Sequence, residues 1–165
     1  MAAKKKSKKA KKAAARKAAS KSKARPAKKA RAAASSSGLA LASVSPAMTV
    51  NDIHRSLAWY RDVLGFVAGE RWEKDGALLG VEMKAGKVAF WLGQDDWQKG
   101  RDRRKGEGFR IYCTTTQNVD AIAAGIKARG GKLDSEPADM PWGFRLFRLR
   151  DPDGYRFAVA SPLPA

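Results

Sequence analysis

Few side chains in this 165-residue sequence have the type and spacing to do chemistry, and most of them point to binding rather than bond-breaking. The chain has one histidine, His54, and one cysteine, Cys113. Neither stands near a partner in any readable catalytic spacing. His54 falls in the first turn of a predicted helix beside charged residues and reads as a solvent-facing position. Cys113 lies in a β-like run and reads as a small buried hydrophobe. Glu73 and Glu82 could act as bases, but neither has a visible second group for acid–base work. What remains is a set of flat and hydrogen-bonding side chains suited to holding a small molecule. Phe90, Trp91, Trp97, Tyr112 and Trp142 supply apolar surface, while Glu82, Gln94, Arg110 and Arg148 supply orienting groups. The candidate ligand-binding set is Glu82, Trp91, Arg110, Tyr112, Trp142 and Arg148. Arg110 stands between Phe109 and Ile111, so it either enters an open groove or is turned into solvent by strand alternation.

A second group of chemically capable residues is the run of cations at the start. Met1–Gly38 contains Lys4, Lys5, Lys6, Lys8, Lys9, Lys11, Lys12, Arg16, Lys17, Lys21, Lys23, Arg25, Lys28, Lys29 and Arg31, and no acidic residue. The whole chain has 34 basic and 16 acidic residues, so the segment from Leu39 to Ala165 is close to neutral and the excess charge belongs to the first 38 residues. Those residues are almost entirely Ala, Lys, Arg and Ser. Without aromatic or β-branched side chains they cannot offset their ordering entropy, and they are expected to be disordered when free. Their composition is similar to the lysine-rich tails of linker histones. Cations on a flexible chain displace counterions from phosphates, so binding to nucleic acid is expected to be sequence-independent and salt-sensitive. Anionic membrane surfaces or acidic proteins would attract the same charge. No apolar run is long enough to span a bilayer, and no apolar stretch of a secretory signal follows the lysines. The expected location is cytoplasmic and nucleoid-associated.

The elements that must position the candidate groove lie in Leu39–Ala165, read as one domain holding all five Trp, six Phe and three Tyr. Leu39–Val50 reads as a strand. Asn51-Asp52 offers a cap, Ile53, Leu57, Tyr60 and Leu64 recur at helical spacing, and Gly65 stands beyond the last turn. Phe66–Lys74, Ala77–Lys84 and Lys87–Leu92 read as strands separated by Asp75-Gly76 and Ala85-Gly86. Charged residues from Asp95 to Gly106 form either a lid or a solvated connector. The order then repeats. A strand at Phe109–Thr115 leads to a helix capped by Asn118 or Asp120, with Val119, Ile122, Ala123 and Ile126 as its buried stripe and Gly130-Gly131 at its end. Strands at Lys132–Glu136, Phe144–Arg150 and Tyr155–Ala160 follow, the last two joined by Asp151-Pro152-Asp153-Gly154. The result is a duplicated strand–helix–three-strand unit.

Thr49-Val50-Asn51-Asp52-Ile53 and the stretch Ser56–Phe66 resemble the first module of the vicinal oxygen chelate superfamily, which includes glyoxalase I, extradiol dioxygenases and fosfomycin and bleomycin resistance proteins. Pro141-Trp142-Gly143 and Asp151-Pro152-Asp153-Gly154 resemble its closing module. The resemblance covers Ser43–Ser161. It implies an α+β fold of two βαβββ modules forming a U-shaped mixed sheet around a concave groove, and it makes a homodimer the expected assembly. It also implies a metal held by three or four His and Glu side chains, with a His opening the first strand and a Glu after the last hairpin turn. Counting from the first helix and from Gly154 places Ser45 and Ala158 at those positions, and the strand Phe109–Thr115 carries no His, Asp or Glu. Neither Ser nor Ala is a usable ligand, so no metal and no cofactor is expected. Bleomycin resistance proteins, similar in fold, bind without metal by stacking and polar contacts. The expected function is thus a metal-free small-molecule-binding domain tethered to nucleic acid. The alternatives are a metal-dependent lyase or dioxygenase with atypical ligands, or an architectural nucleic-acid-binding protein.

Overall fold

The computed structural model describes residues 41–164, so the basic side chains from Lys4 to Arg31 lie outside the described residues. The elements run β1 (Ala47–Val50), α1 (Ile53–Asp62), β2 (Val67–Lys74), β3 (Ala77–Ala85) and β4 (Val88–Gln94). The same order follows in β5 (Arg110–Thr114), α2 (Val119–Ala128), β6 (Leu133–Met140), β7 (Phe144–Arg150) and β8 (Arg156–Pro162). Two four-stranded sheets result, ordered β1-β4-β3-β2 and β5-β8-β7-β6, and in each the first strand is parallel to its neighbour and the others are antiparallel. This is the α+β architecture of two βαβββ modules expected from the sequence.

Both helices start where their caps say they should. The Asp52 Oδ1 accepts hydrogen bonds from the His54 and Arg55 amides at 3.0 Å, and the Asn118 Oδ1 accepts one from Ala121 at 2.9 Å. Each helix buries one stripe, Ile53, Leu57 and Tyr60 in α1 and Val119, Ala123 and Ile126 in α2. Strand limits shift from the sequence expectation by a residue or two in most strands, β4 running on to Gln94, and by more at β1 and β6. The first strand begins only at Ala47, because Pro46 has no amide to donate, although its carbonyl accepts from Trp91 at 2.9 Å. β6 runs on past Glu136 through Pro137 to Met140, which it can do as the outer strand of its sheet and with two breaks in register. The last strand starts at Arg156 and extends to Pro162.

One core joins the modules. Met48, Val50, Val81, Met83, Phe90 and Leu92 meet Phe147, Leu149 and Phe157 along with the helix stripes. Tyr60 is fully buried at the centre, edge-on to Phe66, Phe90 and Phe157 at 5.1–5.9 Å between ring centroids. Its hydroxyl donates to Asp151 Oδ2 at 2.8 Å. The turn from Asp151 to Tyr155 is therefore more than a hairpin end. Asp153 accepts from the Asn51 amide at 2.8 Å and from the Ser56 hydroxyl at 3.0 Å, Arg55 donates to the Pro152 carbonyl at 2.7 Å, and the Tyr155 hydroxyl bonds both backbone groups of Thr49. Every one of these contacts stitches the second module to β1, to α1 or to Asn51 between them.

Candidate functional site

Strand alternation divides each sheet into a face packed on its helix and a face turned away. In the first sheet Val81, Met83, Phe90 and Leu92 face the core, so their neighbours Glu82 and Trp91 face outward, directly opposite one another on β3 and β4. Ala47 lies across from Trp91 on β1. Trp72, 60% exposed, lies over Gly80, where a Cβ would meet its side chain at 3.5 Å. The outward faces of the two sheets, β1-β4-β3-β2 and β5-β8-β7-β6, are the faces not packed on the core.

In the second sheet Ile111, Cys113, Phe147, Leu149, Phe157 and Val159 face the core. The outward face is a grid of three rows. Arg110, Arg156 and Arg150 form the first, Tyr112, Ala158 and Arg148 the second, and Thr114, Ala160 and Leu146 the third. Three predicted site residues, Arg110, Tyr112 and Arg148, are thus brought onto one patch, where Arg110 is exposed. Tyr112 is 48% exposed and Ala158 between it and Arg148 is buried, so the middle of the patch is a small-residue floor.

Other candidates go elsewhere. Trp142, 57% exposed, sits in the turn before β7, and even Phe144 at the start of that strand is about 13 Å from Arg148 along the chain direction. Phe90 is core, as it must be when its neighbour Trp91 faces out. The Gln94 side chain accepts from the Ile53 amide at 3.0 Å and donates to the Asn51 carbonyl at 2.9 Å, which fixes the start of α1. Trp97 lies in the connector with the Arg101 guanidinium 4.0 Å from its ring centre. Glu82 is paired with Lys84 at 2.8 Å, which holds its carboxyl below the usual range, and Glu73 is exposed. His54 is exposed in the first turn of α1. Two outward-facing residues escaped sequence reading. Trp72 was visible only as a strand aromatic, and Arg156 joins Arg110 through a parallel pairing that no local pattern encodes.

The connector is neither a free lid nor a merely solvated loop. The side chains of Asp95 and Lys105 are 3% and 2% exposed and form an ion pair at 2.6 Å, while Arg103 adds a second contact to Asp95 at 2.9 Å. Lys105 also donates to Asn51 Oδ1 at 2.6 Å. Lys105 and Arg103 together hold the Asp95 carboxyl far below the usual carboxylate range. The ends of the connector are clamped to β1 and to Asn51 just after it, and between them Trp97 and Arg103 are half-buried while the rest are exposed.

A large cavity lies on the opposite side of the second sheet from these residues. A cleft of about 1280 Å³ opens between α2 and the β3–β4 turn, lined by Phe66, Lys87, Val88, Ile122, Phe157 and Arg129 among others. Cys113 lines it too, and burial pushes its thiol up. The cleft exists because the modules diverge. When the caps Asp52 and Asn118 are superposed, Ile122 and Ile126 stand where α1 presents Ser56 and Tyr60, so nothing on α2 can bond a turn as α1 bonds Asp151 and Asp153.

The metal implied by the resemblance does not fit the residues present. The outward sheet position on β1 is Ala47, opposite Trp91, and on β8 it is Ala158, opposite Tyr112. Ser45 precedes β1 by two residues and is exposed. Among the described residues no three His, Cys, Asp or Glu side chains gather where they could hold an ion.

Residues 41–159 match the Glyoxalase/Bleomycin resistance protein/Dioxygenase superfamily. Lactoylglutathione lyase GLX1 of Arabidopsis thaliana is 25% identical over 123 residues, covering 70% of this chain and 42% of that protein. The chain thus spans less than half the length of that relative. Among solved structures, a glyoxalase/bleomycin resistance protein/dioxygenase from Nocardioides superposes with a TM-score of 0.62 at 16% identity, over 78% of this chain and 89% of the other. TnmS3, an antibiotic binding protein from Streptomyces sp. CB03234, superposes with a TM-score of 0.57 at 23% identity, over 76% and 99%.

Proposed function

Because the chain belongs to the glyoxalase/bleomycin resistance protein/dioxygenase superfamily, we propose that residues 39–165 bind a small molecule without metal, and that Met1–Gly38 holds this domain to nucleic acid. The observation that carries the first part is the occupancy of the outward sheet positions. Ala47, Trp91, Tyr112 and Ala158 occupy the four register-paired places on β1, β4, β5 and β8, offering stacking surface and space rather than ligands for a cation. The patch with Arg110 and Arg148 then supplies orientation. The fold shared with TnmS3, described as an antibiotic binding protein, supports binding as a sufficient role for this architecture. The tether rests on charge alone: fifteen cations without a single acid in 38 residues. A groove held beside nucleic acid suits sequestration of a molecule that attacks it.

Two measurements test this on the full chain. Metal analysis of the purified protein is expected to find no stoichiometric divalent ion, and one held tightly would return the chain to the lyase or dioxygenase chemistry of its relatives. Titration with duplex DNA at several salt concentrations is expected to show log K falling by about 0.9 per log unit of salt for each phosphate neutralised, with the dependence lost on deletion of Met1–Gly38. DNA affinity that survives the deletion would overturn the tether.

A further inference from the structure

The arginines of the second sheet are unevenly matched. Arg145 is held by Asp120 and Asp139 at 2.7 Å, and Arg150 by Asp134 at 2.9 Å. Arg110, Arg148 and Arg156 form no hydrogen bond or ion pair among the described residues, and Arg148 and Arg156 are nevertheless half-buried. Register puts the three on one outward face. Arg110 and Arg156 are direct partners on β5 and β8, and Arg148 partners Ala158, two residues further along. With strands about 4.8 Å apart and a rise of about 3.3 Å per residue, their Cα atoms lie within about 12 Å of one another. Long side chains from such positions can converge on a single group.

Like charges on neighbouring strands repel, so this trio costs stability unless something compensates it. Among the described residues no acid forms an ion pair with any of the three. Asp134, at the edge of the patch, is committed to Arg150. A guanidinium presents a planar fork of donors that matches an oxyanion, and three of them around a small-residue floor form a receptor for one. Tyr112, flanking Ala158 opposite Arg148, adds a half-exposed ring beside the floor. The cations then stop, since the next row is Thr114, Ala160 and Leu146. A phosphate polymer would need the charge to continue as a track.

Building on the small-molecule reading above, we propose that the ligand is a compact aromatic oxyanion, its carboxylate or phosphate on Arg110, Arg148 and Arg156 and its ring against Tyr112. This excludes the planar cations that a groove lined only by aromatics and Glu82 would favour.

The test is calorimetric titration of the full chain with 2-naphthoate and with the isosteric neutral 2-naphthamide. Naphthoate is expected to bind at least about tenfold more tightly. The Arg148→Gln/Arg156→Gln variant should lose about tenfold or more for naphthoate and keep its affinity for naphthamide, while Arg150→Gln, which removes the same charge from a paired arginine, should change neither. If the double variant melts early by circular dichroism, the single variants Arg110→Gln and Arg148→Gln read the same contacts. Equal affinity for the two probes would overturn the anion assignment and leave the small-molecule reading standing. Failure of both probes to bind would overturn both, and an equal loss in Arg150→Gln would reduce the effect to bulk charge and overturn the proposal. Tighter binding of a short oligothymidylate through the same three arginines would assign the patch to nucleic acid instead.

Discussion

Replacing Tyr60 by Phe isolates the bond that joins the two modules at their centre. The ring stays, with its contacts to Phe66, Phe90 and Phe157, and only the hydroxyl 2.8 Å from Asp151 Oδ2 is lost. A hydrogen bond to a buried carboxylate contributes about 1.5–3 kcal/mol, against about 0.5–1.5 kcal/mol for a neutral pair. Asp151 is buried, and desolvation pushes its carboxyl above the usual range even though Tyr60, Tyr155 and Asp153 all donate to it. A folded-state pKa above the unfolded value means that the native state holds the proton more strongly. The contribution of Asp151 to stability is then full below the unfolded pKa of about 3.9 and declines as pH rises through the folded value. Tyr60→Phe removes a donor, raises the folded pKa further and deepens that decline. The variant should therefore be about 1.5–3 kcal/mol less stable than the parent at pH 7, with the gap shrinking toward the neutral-pair value in acid. Urea unfolding followed by tryptophan fluorescence at pH 7 and at pH 3.5 measures both gaps, and a cycle with Asp151→Asn isolates the coupling. A gap under about 0.5 kcal/mol at pH 7, or one of equal size at both pH values, would refute the account.

The clamp on the connector responds to pH with the opposite sign. Asp95 has a folded pKa below the usual one, so its stabilisation is present above the unfolded pKa and is lost as pH falls toward the folded value. Lys105→Met should move the acid unfolding transition to higher pH, read by circular dichroism. Gly106→Ala should destabilise by more than about 1 kcal/mol, since φ is +70° and the new Cβ would lie 2.7 Å from the Gly154 carbonyl oxygen; Gly86→Ala, with φ +59° in open space, should cost less in the same melt. Tyr112→Ala should weaken 2-naphthoate binding by about 0.5–1.5 kcal/mol in calorimetry, whereas Trp142→Ala, in a turn remote from the arginines, should leave it unchanged. Cys113, its thiol pushed up by burial, should react slowly with iodoacetamide at pH 7.5 and rapidly once urea unfolds the domain.

The elements were legible because their signals are local. Asp52 and Asn118 are read as caps from their own neighbours, and the turns at Gly76, Gly86 and Gly154 all place glycine at positive φ. The duplicated order followed from those signals, and the resemblance supplied the U-shaped sheet. The site was legible only where alternation sufficed. It leaves open whether Arg110 enters a groove or solvent, because that depends on which strand lies alongside. That strand is β8, which sets Arg156, 46 positions away, in register with Arg110 through a parallel pair. Nor does composition reveal that Asp151 and Asp153 are cross-module anchors rather than ordinary turn residues. Their roles are fixed by Tyr60 and Ser56, whose polar atoms lie on the otherwise apolar stripe of α1.

The departures from symmetry give the domain its polarity. An exact duplication would carry the same chemistry on both outward faces and would hold an unsymmetrical ligand equally well in two orientations. Here the first sheet presents Trp72 and Trp91 with an internally neutralised Glu82–Lys84 pair, while the second presents Arg110, Arg148 and Arg156 without counter-charge. A ligand with one flat end and one anionic end can satisfy such a surface in a single orientation. The same divergence acts on the helix side, where Tyr60 and Ser56 lock one junction and Ile122 and Ile126 leave its counterpart open as the apolar cleft. The Tyr155 hydroxyl, bonded to both backbone groups of Thr49, fixes β1 against the start of β8. A bond such as Tyr60–Asp151, far from any ligand, is thus a determinant of how precisely the arginine patch is set relative to the aromatic one.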